Sequence, residues 1–131
     1  MKKKVAEPPV LYFGHLPFEE SKYERGGKFW MATTLQNECK KQGLEPFEYP
    51  LAAYNLSDKY FALNCMDDFI WQMRRTLDAD YEKYPIILDD LGQVADGNHR
   101  IAHAILDGKK SILAYRLINM PAPDYVETNN K

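Results

Sequence analysis

One stretch in the C-terminal half of the chain dictates the order of its structural elements. Residues 86–88 (IIL) form a short apolar run, and the four residues after them, DDLG, are typical of a turn. A short return strand is predicted at 93–95. After Asp96-Gly97, apolar residues recur at helical spacing until Gly108, and residues 111–117 (SILAYRL) indicate another strand. The order strand, turn, strand, helix, strand predicts an α+β fold in which a small mixed sheet packs with helices.

Composition is consistent with one globular domain. The chain has 131 residues, of which 45% are hydrophobic and 27% are charged. Lys and Arg number 17 against 19 Asp and Glu, so the formal net charge is -2. This balance provides no bulk attraction to a polyanion, and any nucleic-acid surface would have to be a local patch.

Targeting signals and cysteine usage favour a cytoplasmic protein. Cys39 and Cys65 are too few for a disulfide framework and do not form a CxxC pair. The opening, MKKKVAEPPVLYF, is basic, but Glu7, Pro8 and Pro9 interrupt any apolar run, so we expect no signal peptide. No window approaches the length of a membrane span, and we therefore expect no membrane partner.

The clearest helix is predicted over residues 66–78. Asp67 and Asp68 lie in its first turn and Arg74 and Arg75 near its end, an arrangement that the helix dipole favours. We expect its apolar residues to form one buried stripe, composed of Met66, Phe69, Ile70, Met73 and Leu77.

The first half of the chain has weaker signals. We predict a strand at 10–13, a polar loop at 17–28 and a short strand within 46–54 that Pro50 interrupts. Within the loop, the segment Arg25-Gly26-Gly27-Lys28 offers backbone N–H groups, but a mobile surface loop is the favoured interpretation. A helix is predicted at about 31–42, with Thr33 and Gln36 as a capping box.

The segment DGNHR, residues 96–100, is the candidate binding site. The first N–H groups of a helix have no partners within it, and the dipole places partial positive charge there. Gly97 leaves room for a ligand, Arg100 has a planar fork suited to two phosphate oxygens, and His99 adds a donor. Asp96 either caps the helix or binds a Mg²⁺ that accompanies the phosphate.

This segment has two other interpretations. Asp-Gly is a common turn, so Asp96 can be a simple cap, with His99 and Arg100 solvated in the first helical turn. His99 and His103 have the i, i+4 spacing of a zinc-binding pair. Arg100, however, stands where a metalloprotease helix carries Glu, and its charge opposes metal binding.

The stretch YPIILDDLGQVADGNHRIAHAILDGKKSILAYRL, residues 84–117, resembles the core of the ParB/sulfiredoxin superfamily. There a strand hairpin ends in a G-x-H-R-like motif at a helix start, and another strand follows. Residues 1–60 show no match, and residues 119–131 are expected to form an irregular tail. The resemblance implies one compact α+β domain over residues 1–131 that binds nucleotide phosphates at the motif.

The resemblance also implies roles for individual residues. The superfamily includes sulfiredoxins, which use ATP, CTP-binding ParB proteins, and free-serine kinases with a DGHHR-like motif, which is the closest motif to this one. Gly97, His99 and Arg100 match the phosphate-binding positions, and Asp96 matches an acidic position implicated in catalysis in the kinase-like branch. Asn98 occupies the position of the sulfiredoxin cysteine, so sulfiredoxin activity is not expected.

This chain differs from the superfamily in two further features, a downstream domain and an N-terminal acidic residue. Partitioning ParB proteins have a downstream helix-turn-helix domain, whereas this chain continues for only 14 residues after Leu117, so we do not expect centromere binding. The kinase branch supplies another acid from its N-terminal region. Glu19, Glu20 and Glu24 are the candidate equivalents.

The leading hypothesis is a nucleotide-binding protein with phosphotransferase or nucleotide hydrolase activity, using ATP, ADP or CTP with Mg²⁺. Its candidate residues are Asp96 and His99 for catalysis, Gly97, Asn98, His99 and Arg100 for the nucleotide, and Asp96 for the metal. One alternative is a nucleic-acid-binding protein or nuclease that uses the basic groups at Lys2–Lys4, Arg74–Arg75 and Lys109–Lys110. Another is a non-catalytic accessory protein that retains the fold. The oligomeric state stays open.

Overall fold

A computed structural model describes residues 6–11 and 20–127, which form three α-helices and seven β-strands in a mixed α+β arrangement. The helices are α1 (Ala32–Lys41), α2 (Met66–Asp78) and α3 (Asn98–Leu106). The strands are β1 (Lys22–Arg25), β2 (Lys28–Met31), β3 (Phe47–Pro50), β4 (Ile86–Leu88), β5 (Val94–Asp96), β6 (Ser111–Arg116) and β7 (Tyr125–Val126), and a 3₁₀ turn at Leu51–Ala53 follows β3.

The central sheet has the strand order β3-β6-β4-β5. Strands β4 and β6 are parallel and the other pairs are antiparallel, so the sheet is mixed. All three residues of β4 are buried because both faces of this strand are covered. Ile86 and Leu88 pack with Ile101 of α3, whereas Ile87 lies in a second cluster with Leu35 of α1. The predicted order of strand, turn, strand, helix and strand is confirmed.

A second sheet, of order β1-β2-β7, is built on a hairpin that the sequence analysis did not predict. Gly26 and Gly27 have φ angles of 62° and 80°, a conformation that glycine adopts readily and that matches the twist of a two-residue hairpin turn. The expected polar loop at 17–28 is therefore wrong at 22–28, where β1, the turn and the start of β2 lie. Strand β7 likewise lies within the tail that was expected to be irregular. Of the strand predicted at 10–13, Val10 and Leu11 are not in a strand, and the rest lies outside the described residues.

Helix α1 begins at Ala32, and the predicted capping box is wrong. Met31 is the N-cap residue and makes no side-chain cap hydrogen bond. The N–H of Thr33 instead donates to the carboxylate of Glu20, which precedes β1. Glu20, 13 positions earlier in the chain, thus accepts a hydrogen bond from an N–H group at the helix start, where a local capping box was expected.

Helix α2 has the predicted bounds but not the predicted buried face. The apolar stripe is exposed, and Thr76 is the buried residue of the helix. Helix α2 packs on α3 through its opposite, more polar side. Within the described residues, no helix combines the length and the apolar composition needed to cross a bilayer.

Candidate functional site

The segment DGNHR lies at the junction of β5 and α3. Asp96 is the last residue of β5, Gly97 is the N-cap residue, and α3 begins at Asn98. The first hydrogen bond of the helix runs from the N–H of Ile101 to the carbonyl of Gly97. The N–H groups of Asn98, His99 and Arg100 therefore have no acceptor within α3, as at any helix start.

Gly97 is required by the backbone and the core. Its φ of 119° is strained for any residue with a side chain, and a Cβ there would lie 2.5 Å from Cγ2 of Ile86. The sequence interpretation assigned this glycine to ligand access. In the structure, a side chain at this position would instead collide with the buried strand β4.

Arg100 is anchored by three acceptors. Its Nη2 donates to Oδ2 of Asp96 at 2.8 Å, and its Nη1 donates to the carbonyls of Pro85 at 2.8 Å and Tyr84 at 3.1 Å. Asp96 makes this ion pair and does not cap α3, where no side-chain cap bond exists. The capping role expected for Asp96 is therefore wrong. Arg100 ties the end of β5 to the segment that enters β4.

His99 is held neutral in one tautomer. Its Nε2 lies 2.6 Å from Oε1 of Gln72, and because an amide oxygen can only accept, the ring proton is on Nε2. The ring also stacks on Phe61, with centroids 4.2 Å apart. Burial, together with the charges of Arg75 and Arg100, lowers the pKa of His99 to about 4. The Nδ1 lone pair is then the remaining polar group of the ring.

The loop before α2 contributes a second aromatic contact to the helix start. The Oδ1 atom of Asn98 accepts a hydrogen bond from the Tyr54 hydroxyl at 2.7 Å. The ring of Tyr54 stacks on Tyr60, with centroids 4.7 Å apart. The side chain of Asn98 is therefore positioned by a residue 44 positions earlier in the chain.

A cavity of about 1280 Å³ includes all five residues of DGNHR in its lining. Helices α1 and α2 and the loop around Phe61 form other parts of its wall. Its charged residues are the cations Lys22, Lys40, Arg74, Arg75, Lys83 and Arg100 and the acids Glu45, Asp78, Asp80 and Asp96. Cations outnumber acids there, whereas the chain as a whole carries a net charge of -2.

Arg75 is the cation of α2 that acts most directly on this site. Its Nη2 lies 3.5 Å from Oγ of Ser21, and its charge contributes to the lowered pKa of His99. Burial lowers the pKa of Arg75, and the charge of Asp96 partly offsets that effect. A partly desolvated guanidinium next to a helix N-terminus is suited to an anion.

Other candidate residues lie elsewhere. Glu20 binds the start of α1, and Glu24 accepts a hydrogen bond from the N–H of Gly27 at 2.9 Å, so both have structural roles outside the cavity lining. Lys109 and Lys110 follow the opposite end of α3. His103 has its own partner, the carbonyl of Ala79 at 2.8 Å. Glu19 and Lys2–Lys4 lie outside the described residues.

Sequence reasoning missed Gln72 and Phe61 and assigned Arg75 mainly to the helix dipole. These residues reach His99 only because α2 and the loop before it pack against α3, and no local sequence pattern predicts that packing.

Comparisons with protein-family models, curated proteins and solved structures found no match for this chain. Across residues 6–11 and 20–127, no three His, Cys, Asp or Glu side chains are grouped so that they could hold a metal ion.

Proposed function

We propose that this protein is a ParB/sulfiredoxin-like domain that binds a nucleotide through its phosphates at the start of α3. The observation that carries the proposal is the shared cavity, which the unpaired N–H end of α3 and the guanidinium of Arg75 both line. Cys39 and Cys65 are free thiols, which supports a cytoplasmic location.

The phosphate end of the ligand would lie against the N–H groups of Asn98 and His99. These donors and the helix dipole favour an anion, and Arg75 adds a full positive charge. Arg100 is paired with Asp96, so its main role is to hold the β5–α3 junction in place, while its remaining N–H groups can still donate.

The base of the nucleotide would contact the aromatic part of the wall. Tyr60, Phe61, Trp71 and Tyr84 line the same cavity. Every nucleobase has a flat π-face, so aromatic rings bind bases by stacking with little preference among them. This proposal therefore covers ATP, ADP and CTP without selecting one.

Phosphotransfer or nucleotide hydrolysis is the reaction class that this site would support. The lowered pKa of His99 makes its Nδ1 a weak base, so this atom would accept a hydrogen bond that orients an attacking hydroxyl or water. Oδ2 of Asp96 is taken by Arg100, so a Mg²⁺ that arrives with the nucleotide would be held mainly by phosphates and waters, with Oδ1 of Asp96 as the carboxylate oxygen that remains. The bound ion would neutralise charge on the phosphates.

Titration calorimetry with ATP, ADP and CTP, each with and without Mg²⁺, tests the proposal. Arg75→Gln removes one cavity charge and should weaken nucleotide binding by about tenfold or more. Lys110→Gln is the matched control, because it makes the same charge change beyond the far end of α3 and should leave binding unchanged.

The contrary results are specific. Absence of binding for all three nucleotides at millimolar concentration would refute the proposal. Equal losses in Arg75→Gln and Lys110→Gln would indicate nonspecific attraction to the surface and would also refute it. Binding without turnover would retain the binding function and reject the catalytic one.

A further inference from the structure

The exposed face of α2 is the largest departure from what its sequence predicts. Met66 is 69% exposed, Ile70 is 40%, Met73 is 46% and Leu77 is 58%, and neighbouring Phe69 is 46% exposed. We call these five residues the α2 stripe. A contiguous row of large apolar side chains in solvent is characteristic of an interaction surface.

The spacing within the α2 stripe is that of a coiled-coil seam. Met66, Ile70, Met73 and Leu77 are separated by four, three and four residues, which corresponds to positions d, a, d and a of a heptad repeat. The order of these spacings is the same read in either direction. The seam is therefore self-complementary when two copies of α2 lie antiparallel.

We infer that a second copy of this chain docks on the α2 stripe, with the two α2 helices antiparallel across a twofold axis. In this arrangement Met66 of one copy faces Leu77 of the other, and Ile70 faces Met73. Each a position meets a d position, and each contact occurs twice, as an isologous interface requires. This inference does not depend on nucleotide binding.

The flanking charges favour the antiparallel orientation. Asp67 and Arg74 both occupy e positions, and in an antiparallel pair the e positions of the two helices face each other. Asp67 of each copy therefore lies next to Arg74 of the other, which makes two opposite-charge contacts. In a parallel pair, e positions face g positions, where Phe69 and Thr76 provide no charge.

The size of the surface predicts a reversible dimer. The α2 stripe has five residues per copy, whereas a standard interface has about 20–30 residues on each side. Such a small surface is typical of weak association. We expect monomer and dimer to exchange across the micromolar range.

Sedimentation velocity over a concentration series tests the inference. The natural chain should shift toward twice the monomer mass as its concentration rises. Leu77→Lys should raise the dimer dissociation constant at least about tenfold. Leu106→Lys is the matched control, because Leu106 is a 70% exposed leucine at the end of α3 and is not part of the stripe. Circular dichroism should show the same helix content in both variants.

A charge exchange separates the antiparallel dimer from other modes of association. Asp67→Arg and Arg74→Asp should each weaken the dimer, and the double variant should restore it, because each variant alone places like charges in contact. A chain that stays monomeric at all concentrations would overturn the inference. Assemblies larger than a dimer, equal effects of Leu77→Lys and Leu106→Lys, or a double variant weaker than both single ones would also overturn it.

Discussion

Arg100 holds Asp96, four residues earlier, in a 2.8 Å ion pair whose side chains are only 14% and 11% exposed. The same guanidinium donates to the carbonyls of Tyr84 and Pro85. One side chain therefore joins the strand before the candidate site to the segment that leads into β4. The pair therefore positions the start of α3.

Removing either member of this pair should destabilise the fold. Arg100→Ala leaves the carboxylate of Asp96 partly buried without its partner. Asp96→Ala likewise leaves the guanidinium of Arg100 partly buried without its carboxylate partner. Each should lower the free energy of unfolding by about 2–4 kcal/mol. Urea unfolding of both single variants and the double variant gives the coupling energy, which should be at least about 1 kcal/mol. Additive losses would show that the contact contributes nothing of its own.

Gly97→Ala should be more damaging than a glycine substitution at the other end of the helix. The new Cβ would lie 2.5 Å from Ile86, and φ is 119°, so we expect a loss of about 2–4 kcal/mol. Gly108, with φ of 75° and no atom within 4 Å of a Cβ, is the control and should lose about 1 kcal/mol. Thermal or urea unfolding measures both variants. Similar losses would contradict the close contact at Ile86.

The state of His99 predicts how its contribution to stability varies with pH. Its pKa in the folded chain is about 4, below its usual 6.5. Between these two values the unfolded chain binds a proton that the folded chain does not, so this contribution falls as pH decreases from 6.5 toward 4. Comparing urea unfolding of the natural chain and His99→Gln across that window isolates it. NMR should show the Nε2–H tautomer and a titration midpoint near 4, whereas a midpoint near 6.5 would contradict the partly buried, hydrogen-bonded state.

The fold and the site differ in how much of each the sequence predicts. Helix α2, strand β4 and the β5–α3 junction were predicted from local periodicity and turn residues, since those signals lie within each element. The hairpin at Gly26-Gly27 was missed because each of its strands has only four residues and β1 is largely polar. Their stability comes from distant contacts, such as the Tyr23 hydroxyl on Asp89 at 2.7 Å.

The sequence also does not predict which side of α2 packs against the rest of the chain. Periodicity places apolar residues on one side of a helix, but it does not say whether the chain itself covers that side. Here α3 contacts the side with Gln72 and Thr76, and His99 gains its partner from that packing. The motif DGNHR could be found from sequence, whereas its environment required the tertiary structure.

Asp89 is a buried carboxylate that joins the turn after β4 to strand β1, and we expect its charge to contribute strongly to the free energy of unfolding. It is fully buried and accepts hydrogen bonds from Tyr23, Arg25 and the N–H groups of Leu91 and Gln93. Burial opposes its charge, but these donors outweigh burial and lower its pKa. Asp89→Asn should therefore destabilise the fold by about 2–4 kcal/mol in urea unfolding at neutral pH.

The adjacent residue provides the control for Asp89. Asp90 is partly exposed and pairs with Arg25 at 2.6 Å. Asp90→Asn should lower the free energy of unfolding by no more than about 1 kcal/mol. Equal losses in the two variants would contradict the assigned role of burial.

Nucleotide binding at the start of α3 is tested most directly by an NMR titration of the ¹⁵N-labelled chain with ATP and Mg²⁺. We expect the largest saturable shifts at the backbone amides of Asn98 and His99, and we expect Arg75→Gln to reduce them while Lys110→Gln does not. Unchanged amides at the start of α3 at millimolar nucleotide, or shifts confined to another surface, would contradict it.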